Sequence, residues 1–485
     1  MDLDLATATA TAIVAALRDR TLSSRELLDD LLARVRARNP GLNAVVALDA
    51  ARARAAAEAA DAATARGDAA GALHGLPMTV KDTWETEGLV TTAGAPELRD
   101  HVPRRDALAV GRLKAAGAIV FGKTNTPLYA GDFQTFNDVY GVTNNPWDTT
   151  RTAGGSSGGA AAAVAAGLTP LELGSDIGGS IRNPAHYNGV YGMKPSWGVV
   201  PSRGHIPGPP GSLVEPDVNA NGPLARGVDD LRLALGVLAG PLPEDAVAWR
   251  LDLDPGPPLG DVTGLRVATV FGEGRDLLPV ARDVHADLDA WAGRLSDAGA
   301  RVEPVPLPVP LADGLRSWQD LVLPIIGAGL HAAAYAALAA SGGAPAGDLM
   351  ANSRRALAGR YREWARADER RQQQRAAWAA LFERHDAVLA PVMPTAAFPH
   401  DTARPISERV LDVDGVAVPH LIALAWCGAV GAVLLPVVTL PAGPTPDGLP
   451  VGVQVIGPYL SDLRLLRIAS VVDAAAGPGF TPPPG

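Results

Sequence analysis

The first 70 residues read as helix. Ser23-Ser24-Arg25-Glu26 has the spacing of a capping box, and the Ala/Arg-rich run over 49–66 is built from strong helix formers. From 76 to 196 the pattern changes. Short apolar runs at 76–80, 118–122 and 171–173 alternate with glycine-rich turns and with a helical stretch at 106–116, the alternation expected of an α/β sheet. Over 198–222 the chain is crowded with Pro, Gly and Asn, too aperiodic for an element and too long for an ordinary connector, which predicts a functional rim loop. Strands at 265–271 and 301–305 flank a helix at 283–298, and 311–385 then reads as nearly continuous helix with glycine and proline breaks at 342–346. Strands return at 387–394, 433–440 and 451–456, the last two joined by Pro444-Thr445-Pro446-Asp447-Gly448, before a closing helix at 462–476. The expected organisation is a helical lead-in (1–70), an α/β core (71–310), a helical insertion (311–385) and a C-terminal return to the core sheet (386–485).

Composition removes several classes of function. With 47% hydrophobic and 19% charged residues, the 485-residue chain lies far from the signature of disorder. Its 52 acidic residues outnumber its 42 basic ones without any basic run, so no nucleic-acid footprint is indicated. The 24 uncharged residues of 421–444 are long enough to span a bilayer. Pro436 and Pro441 interrupt them, and buried strands give the same pattern, so no membrane partner is expected. The acidic N-terminus lacks the positive region of a secretory signal. The single cysteine, Cys427, excludes an intrachain disulfide framework and any cage of several thiolates around a metal. A cytoplasmic location is the expectation. Only four lysines occur, Lys81, Lys114, Lys123 and Lys194, so each invites a question.

The chemistry begins with Thr152-Ala153-Gly154-Gly155-Ser156-Ser157-Gly158-Gly159, a Gly/Ser loop running into a small-residue helix at 160–166. Such a loop lets backbone approach something closely, but the Gly-Lys-Ser/Thr ending of a phosphate-binding loop is missing. Ser180 lies 24 residues beyond Ser156, in Gly174-Ser175-Asp176-Ile177-Gly178-Gly179-Ser180-Ile181-Arg182, where successive backbone N–H groups can converge on one point as an oxyanion hole. A serine hydroxyl needs a base, and a lysine serves once burial lowers its pKa. Lys81 follows the apolar run 76–80 and should sit, partly desolvated, at a strand end. Two other readings compete. Gly154-Gly155-Ser156-Ser157-Gly158 fits the nucleophile elbow of α/β-hydrolases, but 144–153 is turn-like where a strand is required. A thiol mechanism would need Cys427, whose apolar surroundings at 423–427 suit a core residue.

These segments resemble the amidase signature family, whose Ser, cis-Ser, Lys triad has the spacing seen for Ser180, Ser156 and Lys81. Gly122-Lys123-Thr124-Asn125, Asn145-Pro146-Trp147, Gly192-Met193-Lys194-Pro195, Gly222-Pro223-Leu224-Ala225-Arg226, Leu440-Pro441-Ala442-Gly443 and the block from Gly448 to Gln454 also look like family motifs. The resemblance covers roughly residues 5 to 475. It implies a mixed central β-sheet flanked by α-helices, with a helical lid. Ser180 would be the nucleophile, Ser156 a bridging serine behind a cis peptide, and Lys81 the terminal base. The N–H groups of Ile177, Gly178, Gly179 and Ser180 would hold the oxyanion, with Asp176, Arg182 and Ser157 orienting the loop. For substrate, Gly155, Asn219, Trp318, Ile325 and Trp426 are candidates, with Asn221 on the same rim as Asn219. The implied activity is hydrolysis of uncharged amides through an acyl-enzyme, extending to esters and carbamates (urethanes), with no metal or organic cofactor; a homodimer is the family expectation. The competing reading within the family is the A subunit of a tRNA-dependent glutamine amidotransferase. Its Tyr-Asp-Gly-Val-Arg-Tyr-Gly segment does not occur here.

Overall fold

The sheet is built from the apolar runs, and strand labels follow chain order in a computed structural model that describes residues 3–340 and 347–484. The strands are β1 (Val45–Leu48), β2 (Pro77–Lys81), β3 (Ile119–Thr124), β4 (Phe136–Asn137), β5 (Gly141–Val142), β6 (Leu171–Asp176), β7 (Tyr191–Lys194) and β8 (Ala220–Ala225). They continue with β9 (Arg266–Thr269), β10 (Arg301–Pro304), β11 (Ala387–Pro391), β12 (Val410–Val413), β13 (Val416–Pro419), β14 (Val437–Pro444) and β15 (Pro450–Ile456). Eleven of them form one sheet in the order β1-β3-β2-β6-β8-β7-β14-β15-β11-β9-β10, while β4/β5 and β12/β13 are separate two-stranded pairs. Parallel pairing joins β3, β2 and β6 on one side and β11, β9 and β10 on the other, with antiparallel pairs between. The sheet is therefore mixed and flanked by helices, the expected fold class. β2, β3, β6, β7, β8, β11 and β15 are buried along their whole length, which is why β2, β3, β11 and β15 show no alternation of apolar and polar positions.

Local signals account for many boundaries. Ser23 Oγ accepts the Glu26 N–H (3.1 Å) while the Glu26 carboxylate accepts the Ser23 N–H (3.0 Å), so the capping box opens the helix Ser24–Leu42. Gly448, with φ +80°, turns the chain between β14 and β15, where the Pro/Asp/Gly cluster predicted it.

Four features differ from expectation. The lead-in is not purely helical, because β1 pairs antiparallel with β3 and edges the sheet. The 198–222 stretch ends in a buried strand, β8, whose Gly and Pro masked its strand character. The strand expected at 433–440 starts later, β14 beginning at Val437, and a helix, Ala425–Ala432, occupies the apolar run before it. Burial on all sides removes the periodicity that separates helix from strand. The β12/β13 pair was not anticipated. The insertion consists of helices Leu311–Gly327, Ala332–Ala340, Leu349–Ala356 and Tyr361–Phe382; the breaks expected at 342–346 lie outside the described residues. Among the described residues no helix is long and apolar enough to cross a membrane.

Candidate active site

Two parallel neighbours, β2 and β6, end side by side, and the site lies at their C-terminal ends. β2 delivers Lys81 and β6 delivers Ser175 and Asp176, all buried. Lys81 Nζ donates to Ser156 Oγ at 2.6 Å and to Ser175 Oγ at 3.1 Å. Burial pulls the Lys81 ammonium down to about 7 against the opposing pull of Asp176 and Glu172. The amine is thus able to take or give a proton near neutrality.

Ser156 lies in the loop before the helix Gly158–Ala165, and the Gly155–Ser156 peptide is cis. Asn183 clamps Gly155 from both sides: its Oδ1 accepts the Gly155 N–H (3.1 Å) and its Nδ2 donates to the Gly155 carbonyl (2.6 Å). Thr135 Oγ1 donates to the Gly154 carbonyl (2.8 Å). A Cβ on Gly155 would lie 2.6 Å from the Asp132 carbonyl oxygen, so the loop fits only as glycine. The space beside Gly155 is therefore filled by backbone, not by substrate.

The turn carrying Ser180 is organised by Asp176. Its carboxylate accepts from the N–H groups of Gly179 (2.8 Å) and Ile181 (3.1 Å) and forms a two-point pair with Arg182 (2.8 and 3.0 Å). Both partners are fully buried. Burial alone would raise the Asp176 carboxyl, but the adjacent guanidinium outweighs it and holds it at about 2. Arg182 reaches on to the Cys427 carbonyl and to Gln454 Oε1, both at 2.9 Å. Ser157 supports the same turn, its N–H donating to the Ser180 carbonyl (3.1 Å) and its hydroxyl to the Ser175 carbonyl (3.4 Å). Asp176 engages the Gly179 N–H, so of the four amides expected to form an oxyanion hole only those of Ile177, Gly178 and Ser180 remain available. Among the described residues those three amides and the Ser180 hydroxyl bond to no protein group.

The expected substrate residues are placed unevenly. Trp318, on the helix Leu311–Gly327, donates its indole N–H to the Ile177 carbonyl (2.7 Å) and lies so close to Gly178 that a Cβ there would meet the ring at 2.7 Å. It braces the oxyanion turn. Trp426 is 1% exposed and lines a small apolar cavity with Val270, Leu307 and Trp378, so it belongs to the core and not to the rim; its neighbour Cys427 is the residue against Gly179. Asn219 and Asn221 do not face a cleft. Their amides bond to Ser202 Oγ (3.0 and 2.9 Å) and pin 198–202 to β8. Ile325 is half-buried near the end of its helix. Burial pushes the Cys427 thiol up to about 12, which makes it a poor nucleophile. Sequence reasoning missed Ser175, Asn183, Thr135 and Gln454 as members of the site. Ser175 and Gln454 stood inside motifs already singled out, and only the fold shows their hydrogen bonds.

Comparison with known proteins gives a consistent picture. A family model described as Amidase matches residues 26–466. The chain is 34% identical to the A subunit of glutamyl-tRNA(Gln) amidotransferase from Rhodopirellula baltica, with 96% of each chain covered. It is 36% identical to indoleacetamide hydrolase of Bradyrhizobium diazoefficiens, covering 95% of this chain and 85% of that protein. Among solved structures, a bacterial aryl acylamidase of the amidase signature enzymes superposes with a TM-score of 0.81 at 26% identity, over 97% of this chain and 96% of the other. An amidase crystal structure superposes with a TM-score of 0.80 at 30% identity, over 97% of this chain and the whole of that one.

Proposed function

The chain belongs to the amidase signature family and is an enzyme of the class that hydrolyses amide C–N bonds, and on that premise we propose that it is a free-standing serine amidohydrolase acting on small uncharged amides. The observation that carries this reading is the buried Lys81 amine, poised near neutrality, 2.6 Å from Ser156 Oγ.

In the proposed reaction Ser180 Oγ attacks the substrate carbonyl. Its proton passes to Ser156 Oγ while the Ser156 proton passes to the neutral Lys81 amine, so the bridging serine ends as it began. The amides of Ile177, Gly178 and Ser180 receive the developing oxyanion in a site that excludes water. Collapse breaks the C–N bond, and the leaving nitrogen takes its proton back through Ser156 from Lys81. Water then hydrolyses the Ser180 ester by the same relay. Among the described residues no acceptor holds the Ser180 hydroxyl, and alignment on substrate binding is ordinary for such relays. The chemistry addresses a carbonyl, so anilides, esters and carbamates are included as substrates. Ile325 supplies an apolar flank for the acyl or aryl group.

The test presents one acyl group as primary amide, anilide, ester and carbamate and follows acid release by mass spectrometry. Wild type releasing acid from several of them, and Ser180→Ala from none, is the expected result. A Ser180→Ala variant with near wild-type turnover contradicts it. A second reading, a glutaminase that works only inside an amidotransferase complex, is favoured by the likeness to the amidotransferase A subunit; it predicts inactivity on the whole panel and glutamine hydrolysis only on addition of a partner.

A further inference from the structure

A buried glutamate lies beneath the lysine. β6 is registered on β2 with Glu172 opposite Thr79, and β3 is registered on β2 with Thr124 opposite Lys81. Residues in register on parallel strands, and residues two apart on one strand, point to the same face. Thr79, Lys81, Thr124 and Glu172 therefore share a face. Thr124 Oγ1 donates to Glu172 Oε1 at 2.8 Å, and because β2 runs between β3 and β6 this bond passes over β2 between Thr79 and Lys81. Glu172 is fully buried between Leu171 and Leu173, and among the described residues its second oxygen, Oε2, lies within hydrogen-bond distance and angle of no donor. A leucine would fill such a position at no cost in desolvation, whereas an acid there costs stability.

We propose that Glu172 is a positioning residue for the base, its carboxyl group held by Thr124 across β2 so that its charge sets how readily Lys81 holds a proton. The inference rests on reading Lys81 as the base of the relay. Two carboxylates raise Lys81, Asp176 more strongly than Glu172, and Glu172 is the one that holds no other part of the site together. Asp176 is committed to Arg182 and to the turn amides. Lys123 points to the opposite face, where it bonds to the Trp84 carbonyl and Thr86 Oγ1. His205, its ring tilted against Trp84 at 4.5 Å between centroids, is held neutral by burial and by Lys81 and Lys123. The helix Gly158–Ala165 packed on these strands carries no titratable side chain, and the helices Ser24–Leu42 and Ala50–Arg66 bury only Ser24 and apolar residues. Burial also pushes Glu172 itself up to about 7, opposed by the Thr124 and Thr79 hydroxyls and by Lys123. Two groups that change charge in the same range at close quarters lose their protons in linked steps, and an anion beside an amine favours the ammonium.

Four lysines make a direct test simple. In protein carrying carbon-13 at the lysine ε-methylenes, Lys81→Met identifies the Lys81 signal, whose titration is followed in wild type and in Glu172→Gln. The expected result is a fall of about one pH unit in the Lys81 midpoint, with the acid limb of kcat/KM moving by the same amount. Thr124→Val, which keeps the carboxyl but removes its hydrogen bond, makes Glu172 easier to protonate and should move the midpoint the same way by less; it decides the matter if the glutamine variant does not fold. An unmoved Lys81 midpoint overturns the inference even where turnover still depends on Ser180. A shifted midpoint together with turnover independent of Ser180 leaves the coupling standing and removes the relay.

Discussion

At the scale of the residue, the proposed chemistry turns on Lys81, where burial favours the neutral amine. Lys81 titrates at about 7, and only its neutral form accepts a proton. Activity should therefore rise as pH increases through neutrality, where an ordinary lysine would still be charged. Lys81→Ala should lose about 10²- to 10⁴-fold in kcat/KM, with the rise across neutrality abolished; a profile unchanged in shape would contradict the role. Asp176 gives a prediction about stability. Asp176→Asn leaves Arg182 buried without its counter-ion, which costs about 3–5 kcal/mol and should appear as a large fall in denaturation midpoint in wild-type buffer. A stability equal to wild type would show that Arg182 finds compensation elsewhere.

At the scale of the element, the sequence motifs name the parts, and packing decides what each part does. The segments that meet around Lys81 and Ser156 could be singled out because Ser and Lys stood at strand ends and in glycine turns with recognisable spacing. What hydrogen-bonds to them was not, since Asn183 clamping Gly155 and Ser175 holding Lys81 depend on how two strands and a loop meet. Trp318 shows the same limit from the other side. A large apolar residue on an insertion helix reads as pocket lining, yet its N–H holds the Ile177 carbonyl and its ring faces Gly178. Trp318→Phe removes one neutral hydrogen bond, about 1 kcal/mol, and should lower kcat about fivefold with KM little changed. A change confined to KM would restore the pocket-lining role. Trp426 fell into the core for a related reason: helix and strand are indistinguishable in an apolar run buried on every side.

At the scale of the whole molecule, an α/β sheet and a long helical stretch were readable from the sequence pattern, the mixed character of the sheet came from the family resemblance, and the long-range closure was not readable. Arg182 meets Gln454 across 272 residues, so the C-terminal strands brace the turn that follows β6 and carries Ser180. Gln454→Leu should accordingly lower both thermal stability and turnover, and wild-type values for both would separate the C-terminal strands from the site. The central claim is that Ser180 carries the acyl group. Its most direct test is rapid acid quenching of the enzyme during turnover of an activated ester, followed by intact-mass measurement and peptide mapping. The predicted result is one acyl increment on the peptide containing Ser180, absent in Ser180→Ala. An increment mapped to Ser156, or turnover by Ser180→Ala at the wild-type rate, would contradict it.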